Sequence, residues 1–217
     1  MSFAKRRRLF VALVAGGGVL LVLIGVGVLG LLRGPSPERD VDTRHPIESD
    51  AAAPPVAISK PRPVAATSNP VSFARSVARA VFDWDTRATG GPADWEQPLV
   101  DAADPDEAAG VAADVRGYLP SSTVWEQLEA YGTRQSLTID DVRVPDAWTA
   151  AQAQAAAGQI PATAVAFTVN GTRHREGMWR REPVQSARPV SFTVFVDCPA
   201  DEPCRLLRLS RPDSPLE

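Results

Sequence analysis

The sequence predicts an α+β chain. About three short helices pack on a curved, mostly antiparallel four-stranded sheet, and an apolar N-terminal helix precedes them. Three observations predict this. Residues 9–32 form an uncharged apolar run, residues 70–132 carry apolar side chains at helical spacing, and from residue 135 onward apolar and polar residues alternate. A switch of period from 3.6 to 2 along one chain is the pattern of helices followed by strands.

The apolar run, LFVALVAGGGVLLVLIGVGVLGLL, holds nothing more polar than glycine over 24 residues. As a helix it would reach ~36 Å, enough to cross a ~30 Å hydrocarbon core. Lys5, Arg6, Arg7 and Arg8 stand directly before it, and a basic flank holds its end of a span on the cytoplasmic side. The expectation is a cytoplasmic N-terminus over 1–8, a single-pass transmembrane anchor over 9–32, and an extracytoplasmic remainder. A cleaved signal peptide competes with it. Its usual apolar region is only ~7–15 residues, and GLLRGP offers no clean small-x-small site. A buried core helix is the third reading. The four cations also suit anionic lipid headgroups. Ala12 and Gly16 make one small-xxx-small pair, so self-association into a homo-oligomer is open but weakly signalled.

Residues 33–69 contain Pro35, Pro37, Pro46, Pro54, Pro55, Pro61 and Pro63 among Ala, Ser and balanced charge. Proline removes amide donors and disfavours helix before it, which predicts an extended, disordered spacer. The chain of 217 residues has a net charge of −3, but residues 71–217 carry 14 cations against 21 anions. Such a domain lacks the cationic excess that phosphate backbones require, so no nucleic acid is expected as a partner.

The folded domain is expected over 70–211, with a polar tail over 212–217. Asn69–Pro70 starts a helix over about 71–88, with Phe73, Val77, Ala80, Val81 and Trp84 on one stripe. Residues 92–103 read as a loop anchored by Trp95 and Leu99. Asp104, Pro105 and Glu107 have the spacing of a capping box for a second helix, as Thr123 and Glu126 have for a third. On that third helix Trp125 and Leu128 face inward, with Val124 and Tyr131 as further candidates. Residues 135–144 form a strand whose phase breaks at Asp140–Asp141, as at a bulge. Residues 147–158 are either a short helix or a surface connection held by Trp148. Residues 162–169 are a strand, and Asn170–Gly171 is the strongest local hairpin signal. Alternatively, pairing continues through Arg175 and the chain turns near Gly177, with the partner strand beginning after Pro183. Strands over 189–196 and 205–210 follow, the first with Val190, Phe192, Val194 and Val196 inward, the second with Leu207 and Leu209 on one side.

Cys198 and Cys204, the only cysteines, flank the connection between the last two strands and are expected to close it as a disulfide. Their spacing is not that of a redox C-x-x-C, and two thiolates fall short of a metal site.

No catalytic pattern emerges. His174, the only histidine of residues 70–217, sits among Arg173, Arg175 and Glu176, without G-x-S-x-G, S-x-x-K or H-E-x-x-H. Asp83/Asp85, Asp104/Asp106, Glu126/Glu129 and Asp140/Asp141 read as surface or cap pairs. The chain is expected to be no enzyme, with no cofactor and no metal. Trp179, Arg180 and Arg181 lie together in a polar loop, the composition of an interface hot spot. They are the candidate partner contact.

The stretches VSFARSVARAVFDWDTR (71–87), VAFTVNGTRHREGMW (165–179) and PVSFTVFVDC (189–198) resemble NTF2-like inner-membrane scaffold subunits of type IV secretion and conjugation systems. The likeness is to the actinobacterial conjugative-element type. This resemblance implies a non-enzymatic, membrane-anchored assembly component whose partners are other membrane or envelope proteins of the same apparatus. The alternatives are a generic cell-envelope interaction module and an anchored NTF2-like small-ligand binder or enzyme. A deep pocket with convergent polar groups would favour the last, whereas Val and Phe at the inward strand positions predict a filled cone.

Overall fold

The computed structural model describes residues 60–217. Five antiparallel strands form one meander, β1 (Trp84–Asp85), β2 (Arg134–Arg143), β3 (Ala164–Trp179), β4 (Glu182–Asp197) and β5 (Arg205–Leu209) in spatial order. The helices are α1 (Pro70–Phe82), α2 (Pro92–Asp101), α3 (Ala108–Arg116), α4 (Ser122–Glu129) and α5 (Ala147–Gln154). Helices α1 to α4 fill the hollow of a curled sheet, the half-barrel shape of an NTF2-like cone. The expected fold is corrected in two respects. The domain has two more helices and one more strand than the sequence reading gave it. Among the described residues no helix is long and apolar enough to cross a membrane. The stretch 9–32, its basic flank and most of the proline-rich segment lie outside the described residues.

Helix α1 starts as its sequence dictates, with the Asn69 carboxamide accepting the Ser72 N–H at 2.8 Å. Phe73, Val77, Ala80 and Val81 are all buried. It ends six residues earlier than the spacing predicts, because β2 offers better bonds. The Asp83 carboxylate accepts the Leu137 N–H at 2.9 Å, and Gln135 Nε2 donates to the Phe82 carbonyl at 3.1 Å. Trp84 and Asp85 consequently pair with Gln135 and Arg134.

The segment read as a loop is helix α2. Pro92 takes its first position, where no donor is needed, and the Asp94 carboxylate accepts the Gly91 N–H at 2.8 Å. Trp95 and Leu99, four apart, are buried on one face. The capping box expected at Asp104 does not form. Asp104 accepts the Asp106 N–H within a turn, and its own N–H bonds the Leu206 carbonyl at 2.9 Å, covering the outer edge of β5. Helix α4 is capped by Ser121, not Thr123. Val124 and Tyr131, counted as candidates for the inner face, are exposed.

In the sheet, the phase break in β2 is a register shift between Ile139 and Asp141. The hairpin at Asn170–Gly171 is absent. Strand β3 runs unbroken to Trp179 and the chain reverses at Arg180–Arg181, closer to the alternative reading. Val190, Phe192, Val194 and Val196 are buried inward. In β5 a second register shift puts Leu206 and Leu209 in the core and sends Leu207 to the opposite face. That outer face is partly covered by Trp148 of α5, and by the chain end. The Leu216 N–H donates to Thr193 Oγ1 at 2.8 Å, so the tail is docked along the sheet.

Cys198 and Cys204 are joined as a disulfide. The Cys204 N–H donates to the Thr67 carbonyl at 2.9 Å, tying the segment before α1 to the start of β5. Because so short a loop removes little unfolded-state entropy, Cys198→Ser/Cys204→Ser is expected to cost about 2–3 kcal/mol. Urea denaturation of the double variant measures it.

Candidate functional site

The far half of the β3–β4 ribbon runs beyond β5 on the β4 side, while β2 pairs with β3 as far as Glu176. Strand β5 pairs with β4 only over 194–197, so the edge of β4 nearer the turn has no strand partner among the described residues. The backbone groups of Thr193 point outward, since its N–H donates to Ser210 Oγ and its carbonyl accepts from the Ser210 N–H, both at 2.9 Å. Pro183 and Pro189 share that parity and supply no donor. Proline at outward positions blunts an edge against strand addition. The ribbon therefore offers its face rather than its edge.

At the tip of that face is an apolar recess of about 350 Å³. Its walls include Leu128 and Tyr131 at the end of α4, and Arg175, Gly177, Trp179 and Val184 from the ribbon. The Tyr131 and Trp179 rings lie 5.3 Å apart, and the Arg180 guanidinium sits 5.7 Å from the Trp179 centroid. Gly177 allows the approach. The next residue's N–H, that of Met178, donates to the Tyr131 carbonyl at 2.8 Å, and a Cβ on Gly177 would lie only 3.1 Å from that oxygen.

Of the predicted contact residues, Trp179 is therefore the last residue of β3, and Arg180 and Arg181 are the turn itself. Both arginines have left-handed backbones, φ 49° and 73°. Two consecutive positive φ values define the tight hairpin turn that Asn-Gly makes best. Arg180→Asn/Arg181→Gly should accordingly stabilise the domain by about 1–2 kcal/mol, read by thermal denaturation.

Beneath the recess, the sheet face that is apolar elsewhere turns cationic. Arg173 lies opposite Arg188 across β3–β4 and opposite Leu137 of the core across β2–β3. Arg175 stands two residues along on the same face. Its guanidinium is 5.2 Å from the Trp84 ring centroid, and its Nη2 donates to Gln135 Oε1 at 2.8 Å. Its Nε is buried without a hydrogen-bond partner among the described residues. Burial, then the charges of Arg173 and Arg188, pull its pKa down. Sequence reading missed this cluster. The signal was parity, because Arg173 and Arg175 continue the series Val165, Phe167, Val169 once the strand is not broken at Asn170.

The carboxylates do not converge. Asp83 and Asp85, expected at the surface, are buried. Burial raises the Asp83 pKa against the Leu137 N–H and the charge of Arg62. For Asp85 burial pushes up but hydrogen bonds from the side chain and backbone of Arg87 win, holding it low. His174 is exposed, 3.0 Å from Thr138 Oγ1. Among the described residues no three His, Cys, Asp or Glu side chains gather as metal ligands would.

Comparison with protein-family models, curated proteins and solved structures finds no match to this chain. The role expected from resemblance, a membrane-anchored scaffold of a conjugation or secretion apparatus, is corrected accordingly. No relative supports the apparatus, and no helix among the described residues could serve as the anchor or fix a single-pass placement in the cell membrane.

Proposed function

We propose that residues 60–217 are a non-catalytic protein-binding domain that docks a partner at the ribbon tip. One observation carries the reading. Of seven large apolar side chains left exposed among the described residues, Tyr131, Trp179 and Val184 line one recess. Gathered exposed apolar side chains with Trp, Tyr and Arg are the makings of a binding hot spot. The filled cone supports the absence of catalysis: Phe73, Val77, Trp84, Trp95, Trp125 and Phe192 take the space where an NTF2-like enzyme would hold substrate.

A photo-crosslinking amino acid at position 179 of the full chain, expressed in its own cells, should give a discrete protein adduct. The same group at the exposed Ala153 of α5 should not. Identical adduct patterns from both positions would overturn the proposal. Trp179→Ala should abolish recovery of that partner while costing about 1 kcal/mol of stability, against the 3–5 of a buried aromatic. Lost stability with unchanged recovery would make the ring a structural plug.

A further inference from the structure

We infer that the cationic face beneath the recess binds carboxylates of an acidic segment of the partner, whose apolar side chain fills the recess. The inference rests on the docking reading above and names the chemistry of what docks. Its grounds are register, pairing and charge distribution.

Register brings Arg173 directly across from Arg188, with Arg175 two residues along β3 on the same face and diagonal to Arg188. Like charges facing each other across a strand pair are destabilising. Arg173, Arg175 and Arg188 take part in no ion pair among the described residues, although other arginines of the domain do, including Arg87, Arg116, Arg205 and Arg208. Glu176, one of two acidic residues between Gly171 and Val190, is engaged at 2.7 Å by Arg134 of β2. The same span holds five arginines, a cationic ribbon on a domain whose 21 anions outnumber its 14 cations.

One of them, Arg175, is also held in place. The Trp84 ring and Gln135 fix the Arg175 guanidinium. A planar, pre-oriented guanidinium suits a carboxylate. Arg175 lines the recess as well. A ligand with an apolar group against Trp179 therefore places an acidic residue one or two positions on, at ~3.3 Å per extended residue, over the arginines.

The test uses the purified full chain with acetyl-Trp-Gly-(Glu)6 as probe and acetyl-Trp-Gly-(Lys)6 and inorganic pyrophosphate as controls, by calorimetric titration and thermal denaturation. The acidic probe should bind, raise the melting temperature and weaken as salt rises, and neither control should match it. Arg188→Gln should weaken that binding about tenfold or more, the loss of one charge-assisted contact. The same variant should melt at a higher temperature than the parent without ligand, because it relieves Arg173. A structural role for the cluster predicts the reverse shift, and that result would overturn the inference. Pyrophosphate binding as tightly as the acidic probe would overturn it too, by making this a small-anion site. No binding of the acidic probe while position 179 still crosslinks a partner refutes the acidic segment alone. Binding of the probe with no partner adduct at 179 refutes the docking reading, and with it this inference.

Discussion

Trp84→Ala is expected to destabilise the domain by about 3–5 kcal/mol, the range for deleting a buried aromatic side chain. For a body of this size that lowers the melting temperature by roughly 10 °C or more. The ring is fully buried where α1 gives way to β1. It lies 5.4 Å from the Trp125 ring, and Trp125 lies 6.2 Å from Trp95, so three tryptophans from β1, α2 and α4 meet in the hollow. Removing the first leaves the others facing a void and removes the surface on which Arg175 rests. Trp84→Phe separates packing from polarity. The Trp84 Nε1 is buried without a partner among the described residues, so phenylalanine loses volume but also an unmet donor, and the cost should fall to about 1–2 kcal/mol. Urea denaturation followed by circular dichroism measures both. An alanine variant within about 1 kcal/mol of the parent would mean that the indole does not hold the core together. Because Arg175 leans on this ring, Trp84→Ala should also weaken the acidic probe, and Trp84→Phe, which keeps an aromatic face, should retain most of it.

The features legible in the sequence were those whose physics is local. The stripe of α1 and its Asn-Pro start, the phase break at Asp140–Asp141, the inward residues of β4 and the cysteine pairing needed no distant partner to be read. What escaped was settled by tertiary bonds. Residues 92–103 read as a loop, yet Pro92 opens α2 because Asp94 reaches back to Gly91. Asp104 has cap spacing, but its backbone is needed at the edge of β5. Phe82 was expected mid-helix, and β2 ended the helix there. The cationic face was hidden by one misplaced turn. A reversal at Asn170–Gly171 assigns Arg173 and Arg175 to a polar strand end, whereas a strand continuing to Trp179 puts them on the face of the core.

Gly171 is that turn's glycine, and the second large effect is expected there. It sits mid-strand, paired with Ile139 and Val190, immediately beside the bulge of β2. A Cβ built on it would meet the Thr138 carbonyl oxygen at 2.3 Å and Leu137 Cδ1 at 3.2 Å. The first obstacle is backbone and cannot rotate aside. Glycine in a strand interior marks just such a close approach, and it lets the sheet curl tightly enough to wrap α1. Gly171→Ala should therefore cost about 3 kcal/mol, the upper end for forcing atoms into a packed site, and Gly171→Val more. Gly110→Ala is the control. Gly110 is inside α3, where alanine gains about 1 kcal/mol of helix propensity. Its new Cβ would meet only the Arg208 side chain, at 3.3 Å. That variant should be neutral or stabilising. Equal melting temperatures for the two alanine variants would sink the close approach at Gly171. The sheet would then be less tightly approached at the bulge of β2 than the Thr138 carbonyl contact implies.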